Sequence, residues 1–132
     1  MPDPLVRTKV TETTGAALGL ALNVPTSEVT LLTGGTGLKD PSAQASGYGG
    51  NVVKLRFYNS NTSTSRRVKA FLIASGGSVA DATCIFNEWI PPLSTVVYAP
   101  SVPDKYKDSA TVKANQDTGT DVFGRAEAVE FY

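Results

Sequence analysis

"NVVKLRFYNSNTSTSRRVKAFLIAS", residues 51–75, decides the fold class. Val53, Leu55 and Phe57 alternate with Lys54, Arg56 and Tyr58. Val68, Ala70 and Leu72 alternate with Arg67, Lys69 and Phe71. Successive side chains of a strand lie on opposite faces, so this two-residue rhythm marks half-buried strands. Asn, Ser and Thr fill the connection between the two runs, and the pair reads as a hairpin. Its register pairs Phe57 with Val68, Leu55 with Ala70 and Val53 with Leu72 on the core face. On the other face Arg56 lies opposite Lys69, beside Tyr58 and Arg67. Like charges set directly opposite each other are unfavourable by roughly a few tenths of a kcal/mol. Two readings stand for that face: water screens it, or an acidic surface covers it. The acid is then Glu127, Glu130 or a partner's.

Working outward, the same rhythm recurs. "SEVTLLT" (27–33), "TCIFNEWI" (83–90), "STVVYAPSV" (94–102), "SATVKAN" (109–115) and "GRAEAVEFY" (124–132) read as strands. "SGGSVADA" (75–82), Pro91-Pro92, "DKYKD" (104–108) and "QDTGTD" (116–121) read as turns or polar connections. "TTGAALGLAL" (13–22) reads as strand or irregular structure, because a Gly inside a helix costs about 1 kcal/mol. Residues 1–12, with two prolines, read as an extended N-terminal arm. "GGTGLKDPSAQASGYGG" (34–50) reads as a long Gly/Ser-rich loop, with Leu38 and Tyr48 as anchors to this domain or to a neighbour. Seven or eight short strands with turns between them predict an all-β protein. The expected architecture is one antiparallel β-sandwich domain over 13–132, jelly-roll or immunoglobulin-like, preceded by the arm.

The 132 residues carry twelve basic and twelve acidic side chains. Residues 1–69 hold eight basic and four acidic residues, and 70–132 hold four and eight. Such asymmetry suits self-association or docking on a charged protein surface, unless the halves interleave and the charges mix. A nucleic-acid binder would show a net basic excess, so no direct nucleic-acid partner is expected. No apolar run approaches the roughly 20 residues of a membrane helix, and no membrane association is expected. The N-terminus has no signal-peptide pattern, which implies synthesis in the cytoplasm.

The chain has no His and one cysteine, Cys84. Ser/His and Cys/His catalysis are therefore outside its repertoire. Cys84 reads as a small buried hydrophobe. Asp104 and Asp108 read as a solvated loop. "DTGTD" (117–121) holds an Asp-Thr-Gly triplet without the apolar context of an aspartic protease, and too few oxygens for a convincing calcium site. No catalytic, cofactor or metal residue is nominated, and the expected protein is not an enzyme. Phe57, Phe71, Phe86 and Phe131 read as core. Trp89 reads as core, with an interface anchor as the alternative. Arg56, Arg67 and Lys69 with Tyr58 give only a thin single-strand-binding reading.

The order of parts from residue 51 onward resembles a recurring type of small bacteriophage virion structural protein. It is carried by "VVKLRFYNSNTSTSRRVKAFLIASGGSVADA" (52–82), "STVVYAP" (94–100) and "SATVKANQDTGTDVFGRAEAVEF" (109–131). Residues 1–50 depart from the pattern. The resemblance implies a non-enzymatic β-sandwich located in the virion, first of all a capsid decoration or cement subunit. A tail, collar or head-fibre component is the alternative, and a carbohydrate-binding sandwich a further one. It implies other virion proteins as partners, the major capsid protein first among them, and a homo-oligomer. The residues nominated for the partner interface are Leu5, Val6, Arg7, Lys9, Leu38, Tyr48, Arg56, Arg67 and Lys69.

Overall fold

The computed structural model describes residues 8–12, 22–39 and 49–132. Among them run ten strands: β1 Thr8–Glu12, β2 Leu22–Asn23, β3 Val29–Thr33, β4 Gly50–Asn59, β5 Arg66–Ile73, β6 Cys84–Ile90, β7 Ser94–Tyr98, β8 Asp104–Tyr106, β9 Thr111–Gln116 and β10 Val122–Phe131. Among the described residues a 3₁₀ turn, Asp81–Thr83, precedes β6. One sheet has the order β1-β10-β4-β7, with β2 also on β10 and β8 also on β4; the other has the order β3-β9-β5-β6. All pairings are antiparallel. The two sheets pack face to face as the expected β-sandwich.

The strand order resolves the choice between sandwich types. β1 and β2 meet different stretches of β10, and β7 and β8 meet different stretches of β4. Counted as one strand position each, these pairs reduce the ten described strands to eight. Their layout is first-eighth-third-sixth in one sheet and second-seventh-fourth-fifth in the other. That is the jelly-roll arrangement.

The expected β4–β5 hairpin does not form. β4 pairs with β10, β7 and β8, whereas β5 pairs with β6 and β9. The connection 60–65 carries the chain from one sheet to the other. Alternation specifies which side chains face inward, and two strands that face each other across a core satisfy it as well as two neighbours do. Arg56 accordingly lies opposite Arg125 and Val97, not Lys69. Val53 also leaves the predicted core row. Lys54 pairs with Glu127 and Val52 with Ala128, so Val53 is the extra residue of a bulge and Val52 is fully buried in its place.

The polar run in this crossing explains its shape. Asn59, fully buried, donates from Nδ2 to the carbonyls of Thr64 and Ile90, each at 2.9 Å, and accepts from the Asn61 amide at 3.0 Å. Asn61 Oδ1 accepts from the amides of Ser63 and Thr64 at 2.9 and 2.8 Å. These Asx-type bonds replace the sheet partners the backbone loses while crossing.

Between the sheets, Phe57 stacks on Phe86 at 5.1 Å, and Phe86 meets Tyr98 edge-on at 5.9 Å. Two glycines make room for aromatic rings. A Cβ on Gly124 would sit 2.7 Å from the Phe57 ring, and one on Gly50 would overlap the ring of Tyr106. Each glycine is the cross-strand partner of the aromatic it accommodates. Tyr106 thereby corrects the reading of "DKYKD" as a purely polar connection: Asp104–Tyr106 is β8, and Tyr106 is buried. A three-residue strand is too short for its period to show.

Of the expected arm, residues 8–12 are described, and they are extended as β1 along β10. Residues 1–7, which include Leu5, Val6 and Arg7, lie outside the described residues, as do 13–21 and 40–48. In the loop after β3, Leu38 is wholly buried in this domain's own core, so it is not available to a partner. The amides of Gly37 and Leu38 donate to Asp108 at 2.9 Å, so Asp108 anchors the loop and is not merely solvated.

Candidate functional site

Parity assigns each strand a face, and two outer faces carry chemistry. On β10 the buried residues are Val122, Gly124, Ala126, Ala128 and Glu130, which leaves Phe123, Arg125, Glu127, Val129 and Phe131 outward, so Phe131, expected in the core, is not part of it. On β4 the outward residues past the bulge are Lys54, Arg56 and Tyr58; on β7 they are Thr95 and Val97. Cross-strand pairing gathers these into rows: Phe123–Tyr58–Thr95, then Arg125–Arg56–Val97, then Glu127–Lys54. Tyr58, Phe123 and Val97 are 37, 36 and 45% exposed, a large apolar display for a solvated sheet. Three cations and one acid surround them. Arg125 Nη2 lies 3.4 Å from Glu127 Oε1, and a water-sized hollow of about 30 Å³ separates Lys54, Arg56, Arg125 and Glu127. Glu127, one of the acids offered for that face, lies in the same sheet, paired with Lys54 and bridged to Arg125, and does not cover the face. Glu130 has the opposite parity and is buried.

The second sheet presents a different face. Arg67 pairs with Trp89, and Lys69 with Asn87 on one side and Asn115 on the other. Arg67 Nε donates to Asn87 Oδ1 at 2.8 Å, and the Arg67 amide donates to Asp117 Oδ1 at 3.2 Å. Residues 74–83 fold back over this face. Between them and the sheet lies a cleft of about 420 Å³, floored by Phe71 and walled by Val79, Ala80 and Asp81. Phe71 is buried there, beneath the connection, rather than in the inter-sheet core as expected. Trp89, read first as core, is 58% exposed. The signal that finds it is parity: Phe86 and Ile90 face inward, so Trp89 between them faces out.

The nominated interface residues therefore divide. Arg56 lies on the first sheet, beside Tyr58, and Arg67 and Lys69 lie on the second, so no single basic groove joins them. Lys9 is in β1, and Tyr48 lies outside the described residues. Sequence reading missed Phe123, Val97 and Arg125, which sit far along the chain and join Tyr58 only through β10 and β7. The halves of the chain contribute strands to both sheets, so their opposite charges interleave.

Asp121, Glu130 and Asp104 hold structure together. Asp121 accepts from Arg66 Nε at 2.9 Å and from Asn61 Nδ2 at 2.8 Å. The Arg66 guanidinium holds its carboxyl below the ordinary value of 3.8, against the opposing effect of burial. Glu130 accepts from the Gly35 amide at 2.9 Å, the Tyr106 hydroxyl at 2.6 Å and the Tyr132 hydroxyl at 2.9 Å. Burial, and then the bond to Glu130, raise the phenols of Tyr106 and Tyr132 above 10.0. Burial and Asp104 do the same to Tyr98, whose hydroxyl donates to Asp104 at 2.9 Å. Cys84 is partly buried, its Sγ 3.2 Å from the Phe86 carbonyl. Among the described residues no three His, Cys, Asp or Glu side chains gather as metal ligands would, and no helix is long and apolar enough to cross a membrane.

No protein-family profile matches the chain, and no curated protein matches it. Among solved structures the chain is similar to one from the cyanophage Pam1 capsid asymmetric unit. The identity is 12% and the TM-score 0.42, over 99% of this chain and 91% of that one.

Proposed function

We propose that this protein is a non-enzymatic bacteriophage virion structural protein, a capsid decoration subunit that docks on the head shell and cements its joints. The observation that carries this reading is the outer face of the β1-β10-β4-β7 sheet. Tyr58, Phe123 and Val97 stand exposed there, framed by Arg56 and Arg125. Aromatic residues and Arg are the types enriched in protein interfaces and their hot spots. The cationic frame suits an acidic shell surface and would guide encounter. Strands on both sides of β4 hold the patch rigid, so little ordering entropy is lost on docking. Many copies on a symmetric lattice, or a small homo-oligomer, sum modest contacts into firm attachment. The jelly-roll is an architecture that capsid domains use, and this agrees with the reading without identifying the role.

Co-sedimentation of the purified protein with undecorated shells tests it. Saturable binding at a stoichiometry set by the lattice is expected. Tyr58→Ala with Phe123→Ala should weaken it about tenfold or more per ring while the double variant still melts cooperatively. Binding to tail or neck proteins in place of shells moves the assignment to a tail, collar or head-fibre component. Attachment unaffected by the double variant overturns the docking face.

A further inference from the structure

The opposite sheet carries a surface that shell docking does not use. Trp89 stands exposed there, its backbone paired with Arg67 on β5 and its strand neighbour Ile90 buried. Beyond Arg67, across the sheet, Lys69, Asn115, Asp117 and Asp81 border the cleft of about 420 Å³. Two cations and two acids line it, so the site has no net charge. Planar amide, carboxylate and guanidinium groups offer paired donors and acceptors at fixed spacing. Asn87 and Asp117 are already oriented by Arg67. We propose that Trp89 and this cleft form a binding site for a neutral oligosaccharide.

The chemistry selects that class. A pyranose ring presents an apolar C–H face, which stacks on an exposed indole, and an equatorial rim of hydroxyls, which amides and carboxylates hydrogen-bond. Trp89 on β6 and Asp117, just after β9 and across Arg67, stand two strand spacings apart, about 10 Å, and Asn115 lies one row further along. That is the length of two to three sugar units, so the ligand is a short linear segment rather than a monosaccharide. A nucleic acid strand would need a surplus of cations, and the lining has none. An extended peptide would pair with the open edge of β6. That edge carries Glu88, which shares the inward parity of Phe86 and Ile90 yet stays exposed, a feature that discourages strand addition. The site faces away from the proposed docking patch, so either assignment can fail without the other. A decoration subunit built this way would hold the shell with one sheet and a surface glycan with the other.

Trp89 is the only tryptophan in the chain, so its emission reports on the site alone. The full chain is titrated with neutral malto-, cello-, manno- and chito-oligosaccharides from disaccharide to hexasaccharide. For at least one series we expect a saturable change in Trp emission, with a Kd of about 1 mM or tighter that improves up to the trisaccharide. Backbone amide resonances of residues 67–69, 87–89 and 115–117 should shift together. Trp89→Ala, read by those resonances, should weaken binding about tenfold or more, and Trp89→Phe should restore part of it. Asn115→Ala should weaken it with Trp89 intact. Trp89 is mostly exposed, so the variants should keep the parent melting temperature. No response from any series overturns the proposal. So does binding that Trp89→Ala leaves unchanged, or tighter binding of anionic oligosaccharides or oligonucleotides that salt abolishes.

Discussion

Asp121 shows how one carboxylate ties distant parts of this chain. It bonds Arg66 at the start of β5 and Asn61 within the crossing between the sheets. Its folded pKa lies below 3.8, so its contribution to stability is present above that value and lost as pH falls through the folded pKa. Denaturant unfolding followed from pH 7 down to acid should therefore show a loss beginning near pH 4. Asp121→Asn should be less stable at neutral pH and should flatten that acid limb. Glu130 is the buried counterpart, receiving three donors from the loop after β3, β8 and the C-terminus. Removing it leaves those donors unpaired. Glu130→Ala should cost about 3 kcal/mol or more, read as a lower denaturant midpoint at unchanged slope. The phenols of Tyr98, Tyr106 and Tyr132 have the reverse sign. Their raised pKa values mean that stability holds below about pH 10 and falls as pH rises beyond it.

At the scale of elements, the stretch 59–66 carries the chain from β4 in one sheet to β5 in the other. Asn59 is its pivot, because it bonds both the crossing and the end of β6. Asn59→Ala should destabilise by about 1–3 kcal/mol, whereas Thr62→Ala, at an exposed position in the same stretch, should stay within about 0.5 kcal/mol. Chemical denaturation of the two variants side by side separates them. The strands at β3, β6, β7, β9 and β10 were legible because alternation over five or more residues is a strong local signal. β8 was not, since three residues carry no period. Trp89 was misread because its type suggested burial, although its parity already placed it outward. The bulge at Val53 was invisible because the partner that forces it, β10, lies some seventy residues away in sequence.

At the scale of the molecule, the sandwich separates two surfaces that the linear chain mixes. Shell attachment should be lost with Tyr58 and Phe123 and unaffected by Trp89→Ala, and oligosaccharide binding should show the converse. Measuring both activities on both sets of variants checks that separation. The sequence by itself determined an all-β sandwich, most strand positions, and the inward or outward parity of most described residues. These follow from chain geometry, which every strand obeys regardless of its neighbours. Only the tertiary structure decided that β4 and β5 face each other across the core, that the order is a jelly-roll, and that Tyr58 meets Phe123 while Arg67 meets Trp89. Those facts depend on which strands share hydrogen bonds. Backbone hydrogen bonding is blind to side-chain identity, so the choice is made by the packing of the whole core at once.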